Sequence, residues 1–358
     1  MTLRVAIVGC GKAAENHVSE VKKRRDAILV GACDCEPLMS EQFCLRHGIV
    51  ASYTDFSQLL NEQQPDVVHI TTPPQSHYSL ALKSIEAGCH LLVEKPLADS
   101  RNSAAEIVRR AEHKGCKLTV GWTYYFDPVV RSMRELVTQG LVGDPVHLDI
   151  FQAYDLEGNF GKAVVQDPTH WVHELKGGLL HNNLDHLLSL VVEFITDESP
   201  VRSVHAWHTT AHPDTELIDE LRMTLANEST SAQITFSCKA RPLGHFATLA
   251  GTKSTVRINI ANQTLTQDCS SNLPGPVGRL AYGLDQTRQA AFRSLSNCAR
   301  FVRSDFHALP GLSHLISAFY DSIEHSDDVP IPYEQILRVS AWIDEVVNRI
   351  EQAKAVCQ

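Results

Sequence analysis

The chain has 358 residues, and 43% of them are hydrophobic. A chain of this length is longer than a single hydrophobic core usually serves, so we expect two domains. Its 42 acidic and 32 basic side chains give a net charge of −10 with histidine neutral, which argues against a nucleic-acid or anionic-membrane binder. No apolar run is long enough to span a bilayer, and the first one leads into glycines and a lysine, so we predict a strand there rather than an export signal.

The ten cysteines are scattered along the chain and form no Cys-x-x-Cys pair. Cys33 and Cys35 lie close together, but nothing nearby completes a tetrahedral metal site. In a chain without an export signal we expect all ten to be reduced thiols. We therefore predict a cytoplasmic protein that binds no metal.

The first predicted strand, Leu3–Val8, leads directly into a glycine-containing turn and a helix-like segment. Gly9 permits the tight turn, Gly11 lets the backbone approach a pyrophosphate, and Ala14 allows the helix to lie close to the strand. The N–H groups at the start of that helix favour phosphate. The alternative is a glycine turn in another kind of α/β protein. We assign the dinucleotide contacts of this turn to Gly9, Gly11, Lys12, Ala13 and Ala14.

Short β-branched runs alternate with amphipathic segments up to about residue 121, which indicates a parallel sheet with helices on both faces. The predicted strands are Leu3–Val8, Ile28–Cys33, Val67–Thr71, His90–Glu94 and Leu118–Gly121. The predicted helices are Ala13–Lys23, Pro37–His47, Phe56–Asn61, Ser76–Ala87 and Ser100–Lys114. We predict N-caps at Asp55 and Asp99 and helix stops at Gly48, Gly88 and Gly115.

Asp34 ends the second predicted strand, 25 residues after Gly9. A carboxylate at this position can accept hydrogen bonds from the adenosine ribose hydroxyls, whereas a 2′-phosphate would be repelled. Neither Cys35 nor Glu36 supplies the arginine that NADP favours. Asp34 can also be a solvated carboxylate at a strand end. With the glycine turn before it, we predict NAD in preference to NADP.

Two later strand ends also carry candidate site residues, because open α/β sheets bind ligands at the carboxyl ends of their strands. The first comprises Thr71, Thr72, Pro73 and His77, which we predict to contact the nucleotide, although this loop can simply cap the next helix. The second is Glu94-Lys95-Pro96, where the proline favours an extended backbone at Lys95. In a partly buried cleft a lysine can act as acid, base or hydrogen-bond donor; the alternative is an ordinary surface lysine.

These motifs occur in a fixed order that resembles the Gfo/Idh/MocA family of glucose–fructose oxidoreductases and inositol dehydrogenases. The resemblance rests on Gly9-Cys10-Gly11 with His17, Thr72-Pro73-Pro74 with His77, Glu94-Lys95-Pro96, Gly121 through Asp127-Pro128, Gly140-Leu141-Val142-Gly143, and Gly177-Gly178 before His186. It implies a Rossmann domain, residues 1–122, followed by an α/β domain with a large, mostly antiparallel open sheet, residues 123–358. It also implies a homodimer or homotetramer assembled through that sheet.

The activity that this resemblance implies is hydride transfer between NAD(P) and a secondary alcohol or ketone of a sugar, cyclitol or similar molecule. Lys95 matches the family lysine that contacts cofactor and substrate oxygen, and His186 matches the histidine that handles the hydroxyl proton. Asn182 stands where the family has an aspartate, so it can orient a hydroxyl but cannot carry a proton. Tyr124 and Trp171 are further candidate substrate contacts, in a pocket less charged and more aromatic than is usual in the family.

The second domain is predicted to begin with a short helix that runs to about Gln139. The predicted strands are Val146–Ala153, Val201–His208, Leu217–Leu225, Ser231–Cys238, Phe246–Gly251, Thr255–Ile260 and Gln263–Thr266. The predicted helices are Leu179–Phe194, Arg279–Ser304, Ser313–His325 and Tyr333–Ala355, and the last ones can dock on the Rossmann part. Gly158–Glu174 and Cys269–Gly278 are predicted to be irregular, with His170 and His173 either lining a pocket or packing ordinarily.

Four residues on the predicted helix Leu179–Phe194 form two pairs at i,i+4 spacing. Asn182 and His186 share one face, and His181 and Asp185 form a second pair that is either a surface ion pair or support for the site.

Two other functions stay open. One is a lyase or glycosidase that uses tightly held NAD for transient oxidation, and the other is a non-catalytic NAD-binding protein.

Overall fold

The computed structural model describes residues 2–209, 217–269, 273–303, 306 and 309–357. Two compact units account for the chain. Unit 1 comprises Met1–Thr123 and Leu312–Ala341, and unit 2 comprises Tyr124–Gly311 and Trp342–Gln358. Each unit therefore contains a segment from the C-terminal part of the chain. No helix in the described ranges is long and apolar enough to cross a membrane.

Unit 1 is built on a six-stranded sheet in the order β3-β2-β1-β4-β5-β6, and every neighbouring pair is parallel. The strands are β1 Leu3–Val8, β2 Ala27–Cys33, β3 Ser52–Tyr53, β4 Val67–Ile70, β5 His90–Val93 and β6 Leu118–Val120. The order doubles back between β1 and β4, which is the position where doubly wound sheets open a crevice for a dinucleotide. β3 was not predicted, because two residues are too few to show an alternating pattern.

The helices of unit 1 cover the sheet, with a short 3₁₀ turn at Pro74–Ser76. They are α1 Lys12–Lys23, α2 Pro37–His47, α3 Phe56–Gln63, α4 His77–Glu86 and α5 Arg101–Lys114. Asp55 caps α3 as predicted, its carboxylate accepting from the Ser57 N–H at 2.8 Å. The prediction of Asp99 as a cap was wrong. Ser100 caps α5, because it has the extended backbone that brings its hydroxyl to the Ser103 N–H.

A later helix, α10 (Pro310–His325), completes the core of unit 1. Ile316, Phe319 and Tyr320 pack in the same buried cluster as Ala14 and Val18 of α1. Apolar burial of this kind is the main stabilising term in folding. The unit is therefore discontinuous in sequence, and its interior depends on side chains about 300 residues beyond the glycine turn.

Unit 2 is built on a seven-stranded sheet in the order β13-β12-β11-β7-β10-β9-β8. The pair β7–β10 is parallel and the other pairs are antiparallel. The strands are β7 Pro145–Ala153, β8 Val201–Trp207, β9 Glu220–Ala226, β10 Ser231–Ser237, β11 His245–Gly251, β12 Ser254–Asn259 and β13 Thr264–Cys269. This mostly antiparallel sheet confirms the predicted fold class.

The other helices are α6 Pro128–Thr138, α7 Asn159–Gln166, α8 Gly178–Leu188, α9 Gly275–Val302 and α11 Tyr333–Cys357, with a 3₁₀ turn at Trp171–Glu174. The prediction that Gly158–Glu174 is irregular was wrong, because α7 and the 3₁₀ turn occupy most of it. α8 ends six residues before the predicted Phe194. α9 begins inside the predicted loop Cys269–Gly278, with a proline in its first turn, where the missing N–H costs no helical bond. Residues 270–272 of that loop, and Ser304, lie outside the described residues.

Candidate active site

The turn after β1 has a backbone that glycine alone accommodates. Gly9 has φ +90°, and a Cβ placed there would lie 2.7 Å from both the backbone nitrogen and Cγ2 of Thr72. Thr71 fastens the turn from the other side, its hydroxyl donating to the carbonyl oxygen of Gly9 at 2.7 Å. The ends of β1 and β4 therefore meet in close contact, as a dinucleotide crevice requires.

Gly11 differs from Gly9, because the space beside its Cα is open to a ligand and not occupied by the protein. It is the N-cap of α1, makes no side-chain capping bond, and a Cβ there would meet nothing within 4 Å. The backbone beside the first N–H groups of α1 is therefore open, and Lys12 lies next to these groups. This cradle fits a pyrophosphate, which an N-terminal helix dipole also favours. Ala14 is fully buried and lets the helix approach the sheet.

Asp34 lies at the end of β2, directly beside the glycine turn. Its carboxylate accepts the Cys10 N–H at 2.7 Å and the Glu36 N–H at 3.0 Å, so two backbone donors fix its orientation. A groove next to it is lined by Cys10, Gly11, Lys12, Glu15, Met39 and Arg46. The Arg46 guanidinium is held by the Glu15 carboxylate at 2.6 Å. Arg46 was not predicted as a site residue, since it lies twelve residues beyond Asp34, at the far end of α2.

The loops after β4 and β5 are joined by one histidine. His77 is buried, with Nδ1 2.7 Å from the Pro96 carbonyl oxygen and Nε2 2.8 Å from that of Thr72. Burial lowers the pKa of His77, although the two carbonyl acceptors oppose this effect. Both ring nitrogens face the backbone, so His77 fixes these loops and any influence on a cofactor passes through them. Pro73, in the same loop, is exposed.

Glu94 and Lys95 follow β5, and the Lys95–Pro96 peptide bond is cis. Glu94 Oε1 lies 3.1 Å from His17 Nε2, and Glu94 Oε2 accepts the Lys95 N–H at 3.2 Å. Burial raises the pKa of Glu94, but His17 and Lys95 outweigh it and the pKa lies below its ordinary value. Gly121 makes room for this carboxylate, since a Cβ there would lie 3.0 Å from Glu94 Oε2. Lys95 is half-buried at the strand end.

In unit 2, α8 begins at the paired glycines and carries the predicted Asn182 and His186. Gly178 has φ +52°, and a Cβ on Gly177 would lie 2.9 Å from Val347, so close packing against α11 requires this glycine. Asn182 and His186 are one turn apart on the helix, with Asn182 buried and His186 half-buried. His181 and Asp185 are both buried, so the alternative of a surface ion pair was wrong.

Three rings form a cluster around Tyr124. Its ring centroid lies 4.7 Å from that of His186 and 4.5 Å from that of His245, both in edge-on contacts. Burial raises the pKa of Tyr124 and lowers that of His245 to about 3, so both are uncharged at neutral pH. His245 was not identified in the sequence analysis. It opens β11 after a Pro- and Gly-containing turn and carries no motif.

A second unpredicted residue, Gln152, lies beside His245. The two are directly paired across β7 and β11, and their side chains are 5% and 6% exposed. Within the described part of the chain, neither ring nitrogen of His245 nor Oε1 of Gln152 has a hydrogen-bond partner. Buried polar atoms without partners are unfavourable, and in native proteins they often mark binding sites. This face of the sheet therefore offers polar atoms suited to a hydroxyl-bearing ligand.

The remaining candidates near α8 have local contacts. Trp171 packs with Phe160 and His170 at ring-centroid distances of 6.1 and 5.4 Å. His170 Nδ1 accepts the Val172 N–H at 3.3 Å, and His173 Nε2 lies 2.7 Å from the Val164 carbonyl oxygen. Of the two interpretations of these histidines, the contacts support local packing between α7 and the 3₁₀ turn. The described residues include no cluster of His, Cys, Asp or Glu that could hold a metal ion.

Comparison with known proteins finds matches to two family models along the chain. Residues 3–122 match the model of an oxidoreductase family with an NAD-binding Rossmann fold, and residues 130–257 match the GFO/IDH/MocA C-terminal domain. The chain therefore belongs to the Gfo/Idh/MocA oxidoreductase family, as the sequence motifs predicted, and unit 1 contains its NAD-binding Rossmann fold.

Similar curated proteins include D-glucoside 3-dehydrogenase of Escherichia coli, 34% identical over 143 residues, which are 40% of this chain and 41% of that protein. Inositol 2-dehydrogenase/D-chiro-inositol 3-dehydrogenase of Lactiplantibacillus plantarum is 28% identical over 149 residues, 41% of this chain and 43% of that protein. The chain thus spans less than half the length of these two relatives. Apo scyllo-inositol dehydrogenase of Lactobacillus casei shares the fold, with TM-score 0.75, 19% identity, and coverage of 98% of this chain and 97% of that chain.

Proposed function

We propose that the protein is an NAD-dependent dehydrogenase or reductase that acts on a secondary alcohol or ketone of a sugar, cyclitol or similar polyhydroxylated molecule. The observation that carries this proposal is the open cradle at Gly11 with the oriented Asp34 carboxylate on the next strand end. NAD would supply the hydride acceptor or donor, and the protein supplies alignment and electrostatics.

Cofactor preference follows from the charges around the ribose position. Asp34 presents a carboxylate to the ribose hydroxyls and repels a 2′-phosphate. The nearest arginine in the groove, Arg46, is neutralised by Glu15 at 2.6 Å and would have to break that ion pair to receive a phosphate. We therefore expect tighter binding of NAD than of NADP. Calorimetric titration of both cofactors tests this, and Asp34→Ala should narrow the difference, whereas equal affinities in the wild type would contradict it.

In the proposed oxidation, two groups handle charge or protons. His186 accepts the hydroxyl proton, since an imidazole has a pKa near neutrality. Lys95 donates a hydrogen bond to the substrate oxygen and balances its developing negative charge. Asn182, one helical turn from His186, orients a hydroxyl and carries no charge of its own.

The class of substrate is suggested by the polar face of unit 2. Among the described residues, both ring nitrogens of His245 and Oε1 of Gln152 are unpaired, so together they can donate and accept hydrogen bonds. Tyr124 contacts the rings of both His245 and His186. A ligand with several adjacent hydroxyls can satisfy such a set, whereas a monofunctional alcohol leaves most of it unpaired. The relatives named for glucosides and inositols support the same class.

We further propose that the protein is a homodimer or homotetramer in the cytoplasm, assembled through the sheet of unit 2. The support is a stacked pair, Phe151 and Phe246, at 4.7 Å between ring centroids, with Phe246 43% exposed on this sheet. Exposed apolar side chains mark an interface where they belong to a contiguous patch, and this pair would form part of such a patch. Light scattering should show the oligomer in the wild type and a smaller species for Phe246→Asp; a monomeric wild type would contradict the proposal.

A second function is favoured by one comparison. A glycosyl hydrolase family 109 protein of Shewanella pealeana is 31% identical over 166 residues, 43% of this chain and 36% of that protein. The alternative is thus an NAD-dependent glycosidase or lyase that oxidises its substrate only transiently. The deciding experiment incubates the protein with NAD and a panel of inositols, aldoses and aryl glycosides. NADH absorbance that rises with product identifies a dehydrogenase, and product without NADH identifies the alternative. No turnover with any panel member would contradict both.

A further inference from the structure

A continuous chain of hydrogen bonds runs through the interior of unit 1 and ends on Glu94. The Tyr320 hydroxyl lies 2.8 Å from His69 Nε2, His69 Nδ1 lies 2.9 Å from His17 Nδ1, and His17 Nε2 lies 3.1 Å from Glu94 Oε1. Tyr320, His69 and His17 are fully buried. They belong to α10, β4 and α1, so only the folded unit brings them together.

The protonation states of the residues in this hydrogen-bond chain follow from their surroundings. Burial, and then the neighbouring His17, lowers the pKa of His69 far below its ordinary value, so His69 has one N–H and one lone pair. Burial raises the pKa of Tyr320 strongly, so it keeps its proton. The pKa of Glu94 lies below its ordinary value, because the hydrogen bond from His17 and the charge of Lys95 oppose the effect of burial, so Glu94 is ionised. The chain therefore begins at a hydroxyl donor and ends at a carboxylate acceptor.

With a neutral His17, one arrangement of hydrogens satisfies every atom. Tyr320 donates to Nε2 of His69, Nδ1–H of His69 donates to Nδ1 of His17, and Nε2–H of His17 donates to Glu94. If His17 is protonated on both nitrogens, His69 must turn its lone pair to His17 and carry its proton on Nε2. The Tyr320 hydroxyl then loses the one acceptor it has among the described residues. A buried hydroxyl without an acceptor is unfavourable, so Tyr320 favours the His69 tautomer that donates from Nδ1 to His17.

We propose that His17, His69 and Tyr320 are positioning residues for Lys95, which act by fixing Glu94 as an ionised and oriented acceptor. Glu94 Oε2 accepts the Lys95 N–H at 3.2 Å, and Gly121 packs against the same oxygen, so the carboxylate bridges the chain and the lysine backbone. The inference rests on the proposed function, in which Lys95 holds the substrate oxygen. His69 and Tyr320 belong to no motif noted in the sequence.

Other charges also act on the two ends of the chain. Lys95 and the buried His77 face Glu94 from the neighbouring loops, and His17 contacts it from α1. Arg24 lies over the Tyr320 ring at 5.2 Å, with Asp26 beside it, and these two charges act in opposite directions on the pKa of Tyr320. The arginine is held by Asp26 and Asp321, so it changes little between the two hydrogen arrangements.

The test is ¹⁵N-histidine NMR of the full-length protein without cofactor, because ring nitrogen shifts report which nitrogen carries the proton. We expect His69 protonated on Nδ1 and His17 protonated on Nε2. Tyr320→Phe removes the hydroxyl that donates to Nε2 of His69, so part of the His69 rings should move their proton to Nε2. Tyr78→Phe, at an exposed tyrosine of the same unit, should leave the His69 tautomer unchanged.

Activity supplies the second readout. In Tyr320→Phe kcat should fall several-fold while NAD affinity persists, because Glu94 holds Lys95 less firmly and the cradle at Gly11 is untouched. A wild-type His69 protonated on Nε2, or an unchanged His69 tautomer and an unchanged kcat in folded Tyr320→Phe, would overturn the proposal. The wild-type spectrum decides the tautomers even if the variant does not fold. The expected tautomers in a protein without turnover would contradict the proposed function alone.

Discussion

The glycine turn of unit 1 and the ring cluster of unit 2 solve opposite problems. At the turn, Gly9 is pressed against Thr72, and the Asp34 carboxylate accepts two backbone N–H groups, so its conformation is settled before any ligand binds. On the sheet of unit 2, His245 and Gln152 are buried, but some of their polar atoms have no hydrogen-bond partner among the residues that the structure describes. The first region is set by the backbone, and the second is organised for a partner that supplies hydrogen bonds.

We therefore expect an added methyl group to destabilise the glycine turn, and a fall in pH to destabilise the region around His245. A closely packed turn has no room to relax, so added atoms are costly. A buried imidazole without partners is held neutral by burial alone, so its cost appears when the pH falls.

The sharpest break is Gly9→Ala. Its Cβ would lie 2.7 Å from the Thr72 backbone nitrogen, at a φ of +90°. Backbone strain and overpacking together should lower the free energy of unfolding by about 4 kcal/mol. Gly11→Ala is the matched control, because a Cβ there meets nothing within 4 Å. It should leave the denaturation midpoint unchanged and weaken NAD binding. Chemical denaturation and calorimetry measure the two effects, and equal stability of the two variants would disprove the distinction.

Much of the first region could be predicted from the sequence. Gly9, Gly11 and Asp34 are local requirements of a strand, a turn and a helix, so they appear at fixed spacing. The parallel sheet and the bounds of α2 followed from the same local patterns, whereas the order of the strands in that sheet was not predicted.

The second region could be predicted only in part. Asn182 and His186 are one helical turn apart, so the sequence shows their relation directly. His245 and Gln152 meet through the register of β7 and β11, and nothing local fixes which residues of two strands pair. Tyr320 and His69 are 251 residues apart and meet through the packing of α10. Contacts of this kind depend on the tertiary structure.

The second prediction concerns Lys95. Lys95→Met removes the ammonium and keeps the volume, so turnover should fall at least about 10²-fold, the usual loss for a positioned charge or proton donor. NAD affinity should persist, because the cradle at Gly11 is untouched. Lys83→Met on the exposed face of α4 is the control and should leave turnover unchanged. Turnover of Lys95→Met within a few-fold of the wild type would show that this lysine lies outside the reaction.

The third prediction uses the neutral histidines. Burial lowers the pKa of His245 from 6.5 to about 3, so the unfolded chain binds more protons below pH 6.5 and stability must fall as the pH falls. Between pH 7 and pH 5, protonation linked to His245 alone should lower the free energy of unfolding by about 2 kcal/mol. His69 and His77 should lower it further, because their pKa values are also lowered by burial. Urea denaturation at both pH values measures this. His245→Phe keeps the ring against Tyr124 and should reduce the pH dependence; an unchanged dependence would show that His245 is solvated.

The smallest expected effect, and the most specific, is that of Asn182→Asp. The two side chains are nearly the same size, so the fold and NAD affinity should barely change. The introduced carboxylate would place a negative charge one helical turn from His186, where it stabilises the protonated imidazole. Oxidation needs the unprotonated ring, so the limb on which kcat/KM rises with pH should move to higher pH, by about one unit. The pH profile of both forms with the best substrate measures this shift. If the variant is active with an unmoved profile, His186 does not carry the proton, and that role passes to Lys95.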